Sequence, residues 1–84
     1  MTTSSVRYDL VVEVLTANNL KNTQAFGTQD PYVKLLCGGK KFKTQVCEDG
    51  GSTGVFNRTF TFNAIELGPL EVQVKNKNVT DRYF

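Results

Sequence analysis

The stretch Phe26-Gly-Thr-Gln-Asp-Pro-Tyr-Val-Lys-Leu-Leu-Cys-Gly-Gly-Lys-Lys-Phe-Lys-Thr44 decides the fold. Asp30-Pro31 makes a poor helix interior, because proline lacks an N–H and drives the preceding residue into extended geometry. Beyond it Tyr32, Lys34 and Leu36 alternate with Val33, Leu35 and Cys37, the two-residue period of a strand. Gly38-Gly39 supplies the positive φ angles of a tight hairpin. Lys40 to Val46 then returns, with Phe42, Thr44 and Val46 on one face and Lys41, Lys43 and Gln45 on the other. A two-residue turn sets the register: Cys37 opposite Lys40, Leu35 opposite Phe42, Lys34 opposite Lys43. Like charges directly opposite one another are mildly destabilising, and Lys41 lies two residues further along the same face. Such a cluster is either a solvated outer face or an anion site, and the cross-strand lysine pair favours the second.

Working outward, Val6 to Leu15 reads as a strand with Leu10, Val12 and Val14 on one face and Val11, Glu13 and Leu15 on the other. Lys21 to Gln29 is a polar loop. Glu48-Asp49-Gly50-Gly51-Ser52-Thr53-Gly54 is a flexible connection rich in glycine and small polar residues. A further strand spans about Val55 to Asn63, where Phe56, Phe60 and Phe62 share one parity and are expected to dominate the core. Ala64 to Pro69 reads as a turn. Leu70 to Lys75 is the last clear strand, with Leu70, Val72 and Val74 expected inward and Glu71, Gln73 and Lys75 outward. Arg82-Tyr83-Phe84 looks like the start of another. No segment has a helical period, so the class is all-β, an antiparallel sandwich or part of one.

Composition excludes several functions. Eighty-four residues make a single small domain with a modest core. With no histidine, neither a Cys/His zinc site nor a Ser/His or Cys/His nucleophile pair is available, and two cysteines cannot make a four-cysteine site. Cys47 lies beside Glu48 and Asp49, whose charge opposes thiolate formation. An enzyme is therefore not expected. A net charge of +2, with Tyr32 the one aromatic on the lysine face, argues against nucleic acid. Cys37 and Cys47 differ in parity and lie apart along the ladder, so a disulfide would need distortion. Two free thiols, a polar start and no apolar run near the roughly 20 residues of a membrane span make a cytoplasmic protein the expectation.

The segments Leu10-Val-Val-Glu-Val14, Ala17-Asn-Asn-Leu20, Gly27-Thr-Gln-Asp-Pro-Tyr-Val-Lys-Leu35, Lys41-Phe-Lys-Thr44, Val55-Phe-Asn-Arg-Thr-Phe-Thr-Phe62 and Leu70-Glu-Val-Gln-Val74 together resemble the C2 domain. This is the antiparallel Greek-key sandwich first defined as a conserved region of protein kinase C. In style the chain is closest to small stand-alone plant elicitor-responsive C2 proteins. The resemblance implies an eight-stranded sandwich, of which residues 1–84 hold about five strands and lack the C-terminal ones.

The resemblance also implies reversible binding to anionic phospholipid at a peripheral membrane position, often through calcium held between two loops. In this chain Asp30 matches one family aspartate, but Gln24 stands where another is usual. The later loop has Asn76-Lys-Asn78 in place of an Asp-x-Asp, with Asp81 beyond it. Calcium takes about 6–8 oxygen ligands, several of them carboxylates. Asp30, Asn76, Asn78 and Asp81 therefore make a poor calcium set, and the expected cofactor is none, or weakly bound calcium. Tyr32, Lys34, Lys41 and Lys43 match positions through which some family members hold phosphoinositide headgroups. Lys75 stands where such members often carry an aromatic residue. Phe26, near a loop tip, is a candidate for insertion into lipid. The alternative is a calcium-independent protein-interaction or scaffold domain. Uncovered strand edges would also admit a protein partner or a strand-exchanged dimer.

Overall fold

The computed structural model describes residues 6–22 and 27–77, together with the backbone of 82–83. Phe26, Asn78 and Asp81, named above as candidates, lie outside the described residues. The strands are β1 (Arg7–Ala17), β2 (Pro31–Cys37), β3 (Lys40–Lys43), β4 (Gly54–Glu66), β5 (Glu71–Asn76) and β6 (Arg82–Tyr83). β1 and β4 form one antiparallel sheet. The other runs in the order β3-β2-β5-β6, with every neighbour antiparallel.

The sheets face one another across Val33, Leu35 and Cys37 of β2 and Phe56, Phe60, Phe62 and Ile65 of β4, all buried. Leu10, Val12 and Val14 pack against this core from β1, as their shared parity requires. Phe42 joins the two sheets. Its ring stacks on Phe60 at 5.2 Å between centroids and meets the Phe62 edge at 4.9 Å. Burying each core phenylalanine is worth on the order of 2–3 kcal/mol. The Arg58 guanidinium lies 5.2 Å from the Phe60 centroid and closes the outer rim of the cluster.

The hairpin forms as its turn demands: Cys37 opposite Lys40, Leu35 opposite Phe42 and Lys34 opposite Lys43. The return strand ends at Lys43 rather than Val46. From Thr44 onward a side chain takes over the pairing. Thr44 N donates to Val33 O (2.8 Å), while its buried hydroxyl accepts from Val33 N (2.9 Å) and donates to Gln45 O (2.9 Å). Gly38 is required at the turn. Its φ is +56°, and a Cβ there would stand 2.8 Å from Ile65 Cβ.

β4 runs past the expected stop at Asn63 because it carries two bulges. Between the pairs Leu10–Phe62 and Tyr8–Ile65, and again between Val14–Arg58 and Thr16–Val55, β4 has one residue more than β1. The extra residues bring Ala64 (φ 51°) and Asn57 (φ 49°) into the left-handed region. Asp9 Oδ1 accepts the Ala64 N–H at 2.9 Å. The bulge reverses the alternation, so Ile65 is buried although its parity is opposite to that of Phe62.

β5 corrects the expected burial. Val72 and Val74 do lie on the inner side, lining a groove of about 220 Å3 with Val12, Val14, Val33 and Leu35. Val74 packs on the core, but Val72 stays 55% exposed and Leu70 37%. The groove between β1 and β5 is open, and parity alone cannot supply a covering layer. Arg82-Tyr83 does begin another strand, pairing with β5.

Candidate functional site

The outer face of the four-stranded sheet is set by two registers. The turn puts Lys43 and Lys41 of β3 opposite Lys34 and Leu36 of β2. On the other flank β5 puts Lys75, Gln73 and Glu71 opposite Tyr32, Lys34 and Leu36. Three rows result: Lys43–Lys34–Gln73, Lys41–Leu36–Glu71, and Tyr32–Lys75, with Tyr83 next to Lys75 in the register. Neighbouring strands lie about 4.8 Å apart, so directly opposed side chains start within about 5.5 Å of one another. Tyr32, Lys34, Lys41, Lys43 and Lys75 thus share one face, formed by segments more than 30 residues apart in the chain.

Among the described residues Lys34, Lys41, Lys43 and Lys75 stand on this face, and the carboxylate in its rows is that of Glu71. Lys41 and Lys43 are exposed and Lys34 half-buried. Arg7 pairs with Glu66 at 3.7 Å on the other sheet, away from this face. Tyr32 is only 4% exposed, so it forms the floor of the site and offers little surface to a ligand. Gln73 is a site residue that sequence reasoning passed over. It sits beside Lys34 in the central row, and its Oε1 is shielded from solvent and has no hydrogen-bond partner. Its alternation marked it as outward-facing; its place beside Lys34 follows only from the β2–β5 pairing.

At the other end of the sheet the structure brings Asp30 and Asn76 together. Asp30 N donates to Asn76 Oδ1 (3.0 Å), and Lys77 N donates to Asp30 O (2.9 Å). Asp30 Oδ1 accepts from Asp49 N at 2.7 Å, tying the 47–51 turn to the start of β2. Two further bonds hold that turn: Cys47 N donates to Pro31 O (2.8 Å) and Gln29 Nε2 donates to Gly51 O (3.1 Å). Asn76 is 2% exposed. Both oxygens are therefore engaged in joining β2, β5 and the turn. Among the described residues no group of three or more His, Cys, Asp or Glu side chains is placed to hold a metal ion.

The C2 domain model matches residues 8–83, and the chain belongs to the C2 domain family. It is 35% identical over 66 residues to the 16 kDa phloem protein 2 of Arabidopsis thaliana, a match covering 79% of this chain and 44% of the relative. Among solved structures it is similar to a C2 domain-containing protein from a putative elicitor-responsive gene. There the identity is 29%, the TM-score 0.72, and coverage 99% of this chain and 63% of that one. It is also similar to part of human GIVD cytosolic phospholipase A2, solved with an inhibitor and terbium chloride. That match has 32% identity and a TM-score of 0.78, and covers 95% of this chain and 13% of the enzyme. The chain thus spans less than two thirds of each of these relatives. The C2 domain is a non-catalytic module that acts by binding lipid or protein. No helix among the described residues is long and apolar enough to cross a membrane.

Proposed function

We propose that this chain is a non-enzymatic peripheral membrane-targeting module. Its lysine face binds the phosphates of anionic phospholipid, phosphoinositide headgroups above all, with calcium contributing weakly or not at all. The observation that carries the reading is the register that sets Lys43, Lys34 and Gln73 in one row between Lys41 and Lys75. Ammonium groups converging on a phosphate form charge-assisted hydrogen bonds, and the Gln73 amide adds an N–H donor beside them. Each basic residue near an anionic bilayer contributes about 1 kcal/mol. The bilayer of that chemistry is the cytoplasmic leaflet, where the domain would sit peripherally. The weak role of calcium is supported by the prior engagement of Asp30 and Asn76 in backbone contacts.

Co-sedimentation with vesicles containing phosphatidylserine and phosphoinositide, with calcium and with chelator, tests the proposal. Binding in chelator that fades as salt rises is the expected result. Binding seen only with calcium, or calcium affinity tighter than about 100 µM by calorimetry, would refute the calcium part. A second reading is calcium-independent protein interaction. It is favoured by β1, which among the described residues pairs with β4 on one edge and exposes Val11 and Leu15, so that its other edge could take a partner or a second copy. No vesicle binding under either condition, from a folded chain, would favour it.

A further inference from the structure

Along the row Lys43–Lys34–Gln73 the chemistry changes from donor to acceptor. Lysine ammonium groups donate and cannot accept, whereas a glutamine amide does both. Gln73 is half-buried, and among the described residues its Oε1 is the buried side-chain polar atom that has no hydrogen-bond partner. Lys34 stands directly opposite and Lys75 two residues along the same face, yet neither ammonium donates to it. Unpaired acceptors shielded from water are rare and costly, so this one marks a place where a donor is missing.

The surroundings say which kind of donor. Glu71, the next outward residue of β5 toward the hairpin, is a second acceptor on the same strand. The face is therefore graded from side to side. Lys41 and Lys43 on β3 and Lys34 on β2 supply ammonium groups, while β5 supplies the acceptors Gln73 and Glu71, with Lys75 beyond them opposite Tyr32. An ionised phosphate is itself all acceptor, so it suits the lysine side, gains nothing from Gln73 Oε1 and is repelled by Glu71. A phosphate ester with a hydroxyl on a neighbouring carbon suits both sides at once. Its phosphate lies over Lys34 and Lys43 while its hydroxyl donates to Oε1. Directly opposed residues such as Lys34 and Gln73 start within about 5.5 Å of one another, so one small headgroup spans them. The terminal torsion of glutamine is broad, which lets Oε1 turn outward when a donor arrives. A serine headgroup also carries a donor, but that donor is an ammonium, which the surrounding lysines repel.

We infer that Gln73 is a specificity-determining residue of the lysine face. Its Oε1 accepts from a hydroxyl adjoining the bound phosphate, so the site takes hydroxyl-bearing phosphate esters of the inositol phosphate type in preference to plain phosphate. This rests on the membrane reading above and adds to it what is recognised beside the phosphate. The same chemistry is carried by a phosphoinositide in a bilayer and by a free inositol phosphate.

Gln73→Met keeps the length and the unbranched stem and removes both polar atoms. Wild type and Gln73→Met, each as the full chain in chelator, are titrated with phosphatidylcholine vesicles containing either phosphatidylinositol monophosphate or phosphatidic acid, matched for surface potential. Phosphatidic acid presents the phosphate without the neighbouring hydroxyls. Gln73→Met is expected to bind the phosphoinositide vesicles about three- to tenfold more weakly and the phosphatidic acid vesicles as wild type does. Its Tm should be unchanged or raised, because an unpaired buried acceptor has been removed. An equal change on both lipids, or none on either, overturns the role of Gln73 and leaves the membrane reading standing. Free inositol bisphosphate, followed by calorimetry, is expected to bind roughly tenfold more weakly than the vesicles, which add their surface charge, and to respond to the same substitution. Binding as tight as to the vesicles would keep the role of Gln73 and overturn the membrane as the source of its ligand. Wild-type chain that binds neither lipid nor the free headgroup overturns both readings.

Discussion

Replacing Lys41 and Lys43 together by glutamine should weaken membrane binding while leaving the fold as stable as before, or slightly more so. Both residues lie on β3, the edge strand of the larger sheet, and both are exposed. Phe42 between them points to the core and is untouched. Lys43 stands directly opposite Lys34, and relief of a like-charge cross-strand pair is worth a few tenths to about 1 kcal/mol. Glutamine keeps most of the aliphatic stem, so little packing is lost. For a domain of this size 1 kcal/mol moves Tm by about 4–8 °C, which makes a small upward shift the expected result in thermal circular dichroism. On phosphoinositide vesicles the two lost charges remove about 2 kcal/mol, or about thirtyfold in affinity, and flatten the salt dependence. Lys21→Gln, away from this face, serves as the control and should bind nearly as wild type. Unchanged vesicle affinity in the double variant would show that the face is only a solvated surface. A drop of about 10 °C in Tm would show that the lysines are structural, and the reasoning would fail on the other side.

Two further substitutions test the supports of the site. Thr44→Val keeps shape but removes the hydroxyl that accepts from Val33 N at 2.9 Å; in urea denaturation it should cost about 1–3 kcal/mol, and a loss within error of zero would mean that the hydroxyl does not hold the strand end. Asn76→Ala strips the acceptor from Asp30 N and should lower stability by about 1–3 kcal/mol, equally in calcium and in chelator. A loss confined to calcium-containing buffer would instead make Asn76 a metal ligand.

The site and its neighbourhood were legible in the sequence to different depths. The lysine pair was readable because a two-residue turn at Gly38-Gly39 leaves one register, so Lys34 must face Lys43. Gln73 was not readable as a member of the site, although its alternation marked it as outward-facing. Its position depends on β5 docking beside β2 after a detour through β3 and β4. Asp30 and Asn76 were chosen as calcium candidates for their chemistry; only the fold places Asn76 Oδ1 on Asp30 N and Asp30 Oδ1 on Asp49 N. Phe56, Phe60 and Phe62 declared themselves as core by their shared parity, whereas Ile65 did so only through the bulge at Ala64.

What the sequence by itself determined is therefore local: strand identity from the two-residue period, the hairpin from Gly-Gly, and which face of each strand is apolar. These follow from covalent geometry and from interactions within about ten residues. What only the tertiary structure decided is which edges meet, where an extra residue slips the ladder, and which apolar residues remain uncovered, as Val72 and Leu67 do. Those outcomes depend on closing long loops so that both sheets bury their apolar faces at once, a balance summed over the whole chain.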